Sequence, residues 1–316
     1  MVKVTDIAYG RLKAPDLDRM EEFLLDFGMV RADRTKDKLF MRGTDSEHHL
    51  HVTELGDPDF VGIAFHARNE DDLKELSKMD GVSEVEEVDE PGGGKRVRMT
   101  DPDGRQIEVI AGMEQLDPLP IPEVLLNTGA NKLNRTSLQR IEFAPSHVKR
   151  SAHAVVKTPN LPALQEWYHK HLGFALTDSV YIDKEKGEYL AHFNHIDAGE
   201  EYVDHHVFLA VQADEAEFNH LSFEVANVDD VLMGHDYLIR KEKYKHAWGI
   251  GRHVLGSQIF DYWRDPWGRI HEHWTDSDMI NSDHVPSEYA PEEALTNQWG
   301  PDFPEEFLDA PRMHAQ

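Results

Sequence analysis

A chain of 316 residues with 40% hydrophobic content has room for one large domain or two ordinary ones, each with a packed core. Its 33 Lys+Arg stand against 60 Asp+Glu, a formal net charge of −27. That imbalance argues against nucleic-acid backbone or anionic lipid as a partner, and the absence of cysteine excludes disulfides and thiolate chemistry.

No apolar run reaches the ~18 residues of a membrane helix. The start, MVKVTDIAYGRL, lacks the apolar stretch and cleavage site of a signal peptide. A soluble cytoplasmic protein with no membrane partner is expected. The 20 histidines exceed what any single site uses, so the question is which few are placed to bind a metal.

In chain order, segment 7–29 (IAYGRLKAPDLDRMEEFLLDFGM) predicts a strand, a Lys13-x-Pro15 corner and a helix stopped by Gly28. Segment 60–76 (FVGIAFHARNEDDLKEL) predicts an alternating strand and then an Asn/Asp-rich helix start. In 99–110 (MTDPDGRQIEVI), Asp-Pro-x-Gly marks a tight turn between two strands. The Pro-containing stretch 113–148 breaks the pattern and is the expected linker.

Beyond it the same order returns. Segment 151–174 (SAHAVVKTPNLPALQEWYHKHLGF) repeats the strand, the corner at Lys157 and Pro159, and the stop at Gly173. FNHLSFEVANVDDVLMG (218–234) and WRDPWGRIHEHW (263–274) match the second and third segments. The expected fold is α+β, with two domains at 1–112 and 149–282, each a pair of βαβββ modules. The tail, 283–316, carries five prolines and is expected to wrap the body as loops and short turns. Helices and strands do not alternate throughout, so a doubly wound parallel sheet is not expected.

The repeat supplies an internal control. His153 aligns with Tyr9, His220 with Gly62, and Glu272 with Glu108. Three strand positions thus carry His, His and Glu in one half only, so only that half is expected to bind a metal in this way. Two histidines and one carboxylate on one face of an ion leave the other face open, an arrangement that suits non-haem Fe(II) chemistry with O₂; Mn(II) accepts the same ligands. Strand alternation sorts His271-Glu272-His273: with Glu272 toward the metal, His271 and His273 point away and are expected at the surface or behind the ligands. The spacing is not His-Glu-x-x-His, so a zinc-protease helix is not supported.

These segments resemble the vicinal oxygen chelate superfamily. The C-terminal half, through SAHAVV, DHHVFLAV, NHLSFEV and GRHVLGSQIFDYWRDPWGRIHEHWTDSD, is similar to type I extradiol catechol dioxygenases. The resemblance implies His153, His220 and Glu272 as ligands. It implies His206, on the strand before the second ligand, as acid–base, with His205 as the fallback. It implies His253 and Tyr262 as hydrogen-bond donors near the bound substrate. Trp248 stands where a carboxylate-gripping arginine lies in a homoprotocatechuate-cleaving relative, and Val155 where that relative has an asparagine. Both departures imply an apolar catechol, opened by O₂ beside its diol to a semialdehyde, and the resemblance also implies a homo-oligomer. A metal-dependent isomerase of glyoxalase type, or a small-molecule binding protein, is the alternative on the same fold.

Overall fold

The computed structural model describes residues 2–307. The first half contains β1 (Asp6–Ala14), α1 (Leu17–Asp26), β2 (Val30–Arg34), β3 (Lys38–Arg42) and β4 (His51–Leu55). It continues with β5 (Asp59–His66), α2 (Glu70–Leu76), β6 (Glu86–Glu87), β7 (Lys95–Thr100) and β8 (Gln106–Ala111). No helix or strand lies between Ala111 and Val148. The second half contains β9 (Val148–Thr158), α3 (Leu161–Leu172), β10 (Phe174–Asp183), β11 (Glu188–Ile196), the short β12 (Val203–Asp204) and β13 (Phe208–Gln212). Then come β14 (Glu217–Val225), α4 (Val228–Lys241), β15 (Lys245–His253), β16 (Ile259–Arg264) and β17 (Ile270–Thr275).

The repeat predicts four βαβββ modules, and four are present. Each module closes by pairing its first strand in parallel with its last: β1 with β4, β5 with β8, β9 with β13, and β14 with β17. Antiparallel pairs β1–β5 and β9–β14 join the modules into one sheet per half. The strand orders are β2-β3-β4-β1-β5-β8-β7-β6 and β10-β11-β13-β9-β14-β17-β16-β15, the same path twice.

The helix starts follow from local chemistry. Asp16, Asn69, Asn160 and Asn227 each accept a backbone N–H of the first helical turn with the side-chain oxygen, satisfying donors that have no partner inside the helix. Gly173 ends α3 at φ 74°, a conformation that costs a residue with a Cβ. Both Asp-Pro-x-Gly turns close alike. Gly104 donates to the Asp101 carbonyl and Gly268 to the Asp265 carbonyl, at 3.0 and 2.9 Å.

The halves share a continuous hydrophobic core and are clasped reciprocally. Arg269, after the second turn, donates to the Lys13 carbonyl at 2.6 Å, and Arg105, after the first, donates to the Lys157 carbonyl at 2.5 Å. His271 and His273 belong to this junction. Both are 0% exposed, which rules out the surface position and leaves the one behind the candidate ligands. His271 meets His51 of the first half, Nε2 to Nε2 at 3.2 Å, and His273 Nε2 donates to the Phe27 carbonyl at 2.6 Å. Alternation assigns their face correctly, but that face is covered by the other half.

In the first half, the positions aligned with the ligands are occupied by an ion network. Tyr9 donates to Glu108, which also faces Arg11 at 3.5 Å and Arg96 at 3.4 Å. A Cβ at Gly62 would strike the Gln106 carbonyl, so no side chain can enter there. Arg11 further holds Glu90 at 2.8 Å, with Lys38 on the same carboxylate. Burial opposes ionisation of Glu90, but Arg11 and Lys38 outweigh it and hold the carboxyl at about 2. Its unfolded value is near 4.5, so the pair contributes ~3 kcal/mol above that pH and loses it as pH falls toward 2. Urea unfolding of wild type and Glu90→Gln across acidic pH should show a stability gap that closes on acidification. A gap independent of pH would refute this attribution.

After β18 (Met279–Ile280), which pairs with β12, the tail is more structured than loops and turns: β19 (Ser287–Tyr289), α5 (Pro291–Ala294), β20 (Asn297–Trp299) and a 3-10 turn, Glu305–Phe307. β19 extends one edge of the second sheet beside β10, and β20 the other beside β15. The expectation for 308–316 lies outside the described residues.

Candidate metal centre

Three neighbouring strands of the second sheet present the three sequence-predicted ligands. His153 on β9 pairs across from Ser222 on β14, and Ser222 from Glu272 on β17, while His220 sits two residues before Ser222 on β14. Side chains two apart on one strand share a face, so this register aims all three at one point. His153 Nε2 lies 2.9 Å from Glu272 Oε2, and His220 Nε2 lies 3.4 Å from both Glu272 Oε2 and His153 Nε2. All three residues are buried, Glu272 completely.

The donor chemistry fits a divalent ion. Neither oxygen of Glu272 has a hydrogen-bond partner, although a buried unpaired carboxylate costs several kcal/mol. His220 Nδ1–H donates to Asn219 Oδ1 at 2.6 Å, which leaves Nε2 with its lone pair toward the shared point. Burial lowers the titration of His153 below the ordinary imidazole range, so it stands neutral, as a metal ligand must. Burial works against the charge of Glu272; cationic neighbours at its oxygens lower it well below the usual carboxylate range, a role that would fall to a divalent ion where the imidazoles are neutral.

Over this point lies a partly open cavity of about 160 Å³. Its walls include Val155, Phe193, Leu209, Trp248, Leu255 and Tyr262, and no Lys or Arg of the described residues lines it. Trp248 stacks parallel to Tyr262 with ring centres 5.6 Å apart, and its Nε1–H donates to the Pro301 carbonyl at 3.1 Å. The tail reaches the cavity through Leu295, Phe303 and Phe307. A larger, more open groove of about 1060 Å³ runs between the halves near Phe60 and Trp267, away from the three ligands.

His206, His253 and Tyr262 also line the cavity. His253 Nε2 and Tyr262 Oη are 2.9 Å apart. Burial, then the Glu272 charge, pushes the Tyr262 phenol far above its ordinary value, so it stays protonated. His206 is in the turn between β12 and β13 rather than on a strand as expected, with its ring 4.2 Å from that of His153.

His205 does not line the cavity, but sequence reasoning missed what it holds. His205 Nε2 donates to Asp178 Oδ2 at 3.0 Å, and His205 Nδ1 lies 3.2 Å from His206 Nδ1. With one N–H on His205, given to Asp178, its Nδ1 accepts from His206 Nδ1–H. His206 Nε2 is then the unprotonated nitrogen. Only the adjacency of the two histidines signalled this in sequence; Asp178 gave no sign.

Residues 150–270 match the model of the Glyoxalase/Bleomycin resistance protein/Dioxygenase superfamily. The chain is 29% identical to metapyrocatechase 2 of Cupriavidus necator over 309 residues, 96% of this chain and 92% of that one. In fold it resembles homoprotocatechuate 2,3-dioxygenase of Brevibacterium fuscum, solved with 3,4-dihydroxyphenylacetate, at TM-score 0.79 and 18% identity, covering 98% and 93% of the two chains. It also resembles the Mn(II)-bound glyoxalase of Novosphingobium aromaticivorans at TM-score 0.78 and 22% identity, covering 96% and 94%. The architecture is the vicinal oxygen chelate fold, two paired-module sheets with the three candidate ligands in the second.

Proposed function

We propose that the chain is an extradiol catechol dioxygenase, an oxidoreductase that uses Fe(II), with Mn(II) able to fill the same ligands. The observation that carries this reading is the His153–His220–Glu272 triad beneath an apolar cavity walled by a neutral imidazole and a phenol. The metal would supply adjacent open positions for both catechol oxygens and for O₂, and the redox chemistry between them.

The protein's own groups then have separate tasks. His206 Nε2 takes a proton from a catechol hydroxyl and later returns one. Tyr262 Oη–H and His253 donate to developing negative charge on the substrate oxygens. Val155 and Trp248 hold the ring, while Phe303 and Phe307 keep water from it. The first half serves as scaffold, and 149–282 is the catalytic unit.

The apolar lining supports a catechol with an apolar substituent as the substrate. Oxygen uptake by Fe(II)-loaded protein with catechol, 3-methylcatechol, 2,3-dihydroxybiphenyl and 3,4-dihydroxyphenylacetate tests this. The apolar diols should react with at least about 10-fold higher kcat/KM, since a buried carboxylate without a partner costs more than 1.4 kcal/mol. Preference for the acid would overturn the substrate assignment.

Asp178 and His205 fix the tautomer of His206 without touching substrate. Asp178→Asn should lower kcat by about 10-fold, as losing an outer partner of a functional imidazole does, and shift the acidic limb of the pH–rate profile while metal content stays unchanged. An unaltered profile would show that Asp178 is structural only.

A further inference from the structure

A second cluster of metal-type ligands lies on the other side of the same sheet. Asp261 follows Phe260 and precedes Tyr262 on β16, so it faces away from the catalytic cavity, and it is 0% exposed. Against it, α4 places His235 Nδ1 at 3.1 Å from both carboxylate oxygens, and β15 places His246 Nε2 at 2.7 Å from Oδ1. The two imidazoles cross nearly at right angles, with centres 4.9 Å apart. Their side chains are 22% and 26% exposed. None of the three residues has a task in the chemistry proposed above.

We infer that His235, His246 and Asp261 form a second metal site for a borderline divalent transition ion of the Zn(II) type, with solvent water completing its coordination.

The donor set is two imidazole nitrogens and one carboxylate oxygen, which suits Zn(II) and its neighbours and not Mg(II) or Ca(II). Ligands around a four-coordinate Zn(II) at ~2.0–2.1 Å lie roughly 3.3 Å from one another. The gaps here, 2.7 and 3.1 Å, need only a slight opening, and all three donor atoms lie within 4.8 Å of one another, as in the catalytic triad.

The carboxylate is held in place from behind. Trp263 Nε1–H donates to Asp261 Oδ2 at 2.6 Å, the type of outer hydrogen bond that fixes a ligating carboxylate. On the next strand a Cβ at Gly249 would approach Asp261 Oδ1 to 2.9 Å, so the glycine, at φ +122°, leaves the carboxylate its space. The charges that bear on His235 are those of Asp261 and Asp236, both anionic, so a cation is favoured there. The exposed ring edges give it an entry path.

An ion in this place would staple α4 to β15 and β16. Those strands carry Trp248, His253 and Tyr262 of the catalytic cavity.

The test is a metal count on the full chain, stripped by chelation and dialysed against buffered Zn(II), followed by mass-spectrometric metal analysis. Wild type should hold two ions per chain. His153→Ala should hold one. The pair His235→Asn with His246→Asn should hold one, and all three changes together none. Zn(II) should raise the Tm of His153→Ala and leave that of the triple variant unmoved. The asparagines keep an N–H donor for Asp261, so the fold is retained, which circular dichroism checks. The inference is overturned if His153→Ala binds no Zn(II), or if its bound ion persists after both asparagine changes.

Discussion

Glu272→Ala is expected to release the catalytic metal and to lower kcat by more than about 10³-fold. An outer partner of a metal ligand contributes about 10–100-fold, and a ligand itself must exceed that. The physical reason is the accounting around its two oxygens. Glu272 is fully buried, and neither oxygen has a hydrogen-bond donor, so a bound ion is what would compensate its charge. Removing the carboxylate leaves two neutral imidazoles, too few to hold Fe(II) in competition with water. Metal analysis of the catalytic site, made on the iron-loaded protein, is the direct readout. Retention of one iron per chain with near-normal turnover would show that another group holds the metal.

His206→Ala is expected to behave differently: iron stays, and kcat falls about 10²- to 10⁴-fold, the range for a general acid–base. Its ring lies beside that of His153, yet its Nε2 is not among the three converging ligand atoms. His205→Ala should cost less, because His205 acts by fixing the His206 tautomer across 3.2 Å. If His206→Ala loses iron, the assignments of ligand and acid–base are exchanged. If His205→Ala is the more damaging change, the proton-carrying role belongs to His205.

Local chemistry and self-comparison made much of this legible. The Lys-x-Pro corners, the Asn and Asp helix caps and the two Asp-Pro-x-Gly turns each act within a few residues, so they announce themselves in sequence and again in the repeat. Their doubling carries the four-module topology. His153, His220 and Glu272 stood out because the same positions in the first half hold Tyr9, Gly62 and Glu108, and the structure gives those residues another use. What stayed hidden depends on contacts across long separations. Alternation turned His271 and His273 away from Glu272 correctly, but nothing in a single strand says that His51 and Phe27 cover them. Asp178, which orients His205, is 27 residues away and reads as an ordinary strand aspartate. The tail had no period to read, yet it places Phe303 and Phe307 against the cavity. His235, His246 and Asp261 sit on three different elements and meet only after folding.

The central claim is that the site joins O₂ to a catechol ring. The measurement that tests it most directly is a single-turnover reaction of Fe(II)-loaded protein with 2,3-dihydroxybiphenyl under oxygen-18 gas, read by mass spectrometry beside an oxygen electrode. The expected result is one O₂ consumed per ring and an open-chain oxo acid with both added oxygen atoms labelled, one in the carboxylate and one in the carbonyl, the latter read before it exchanges with water by hydration. No oxygen uptake by protein shown to contain iron, or a product isomeric with its substrate and free of label, would contradict it and favour proton-transfer chemistry of the glyoxalase kind.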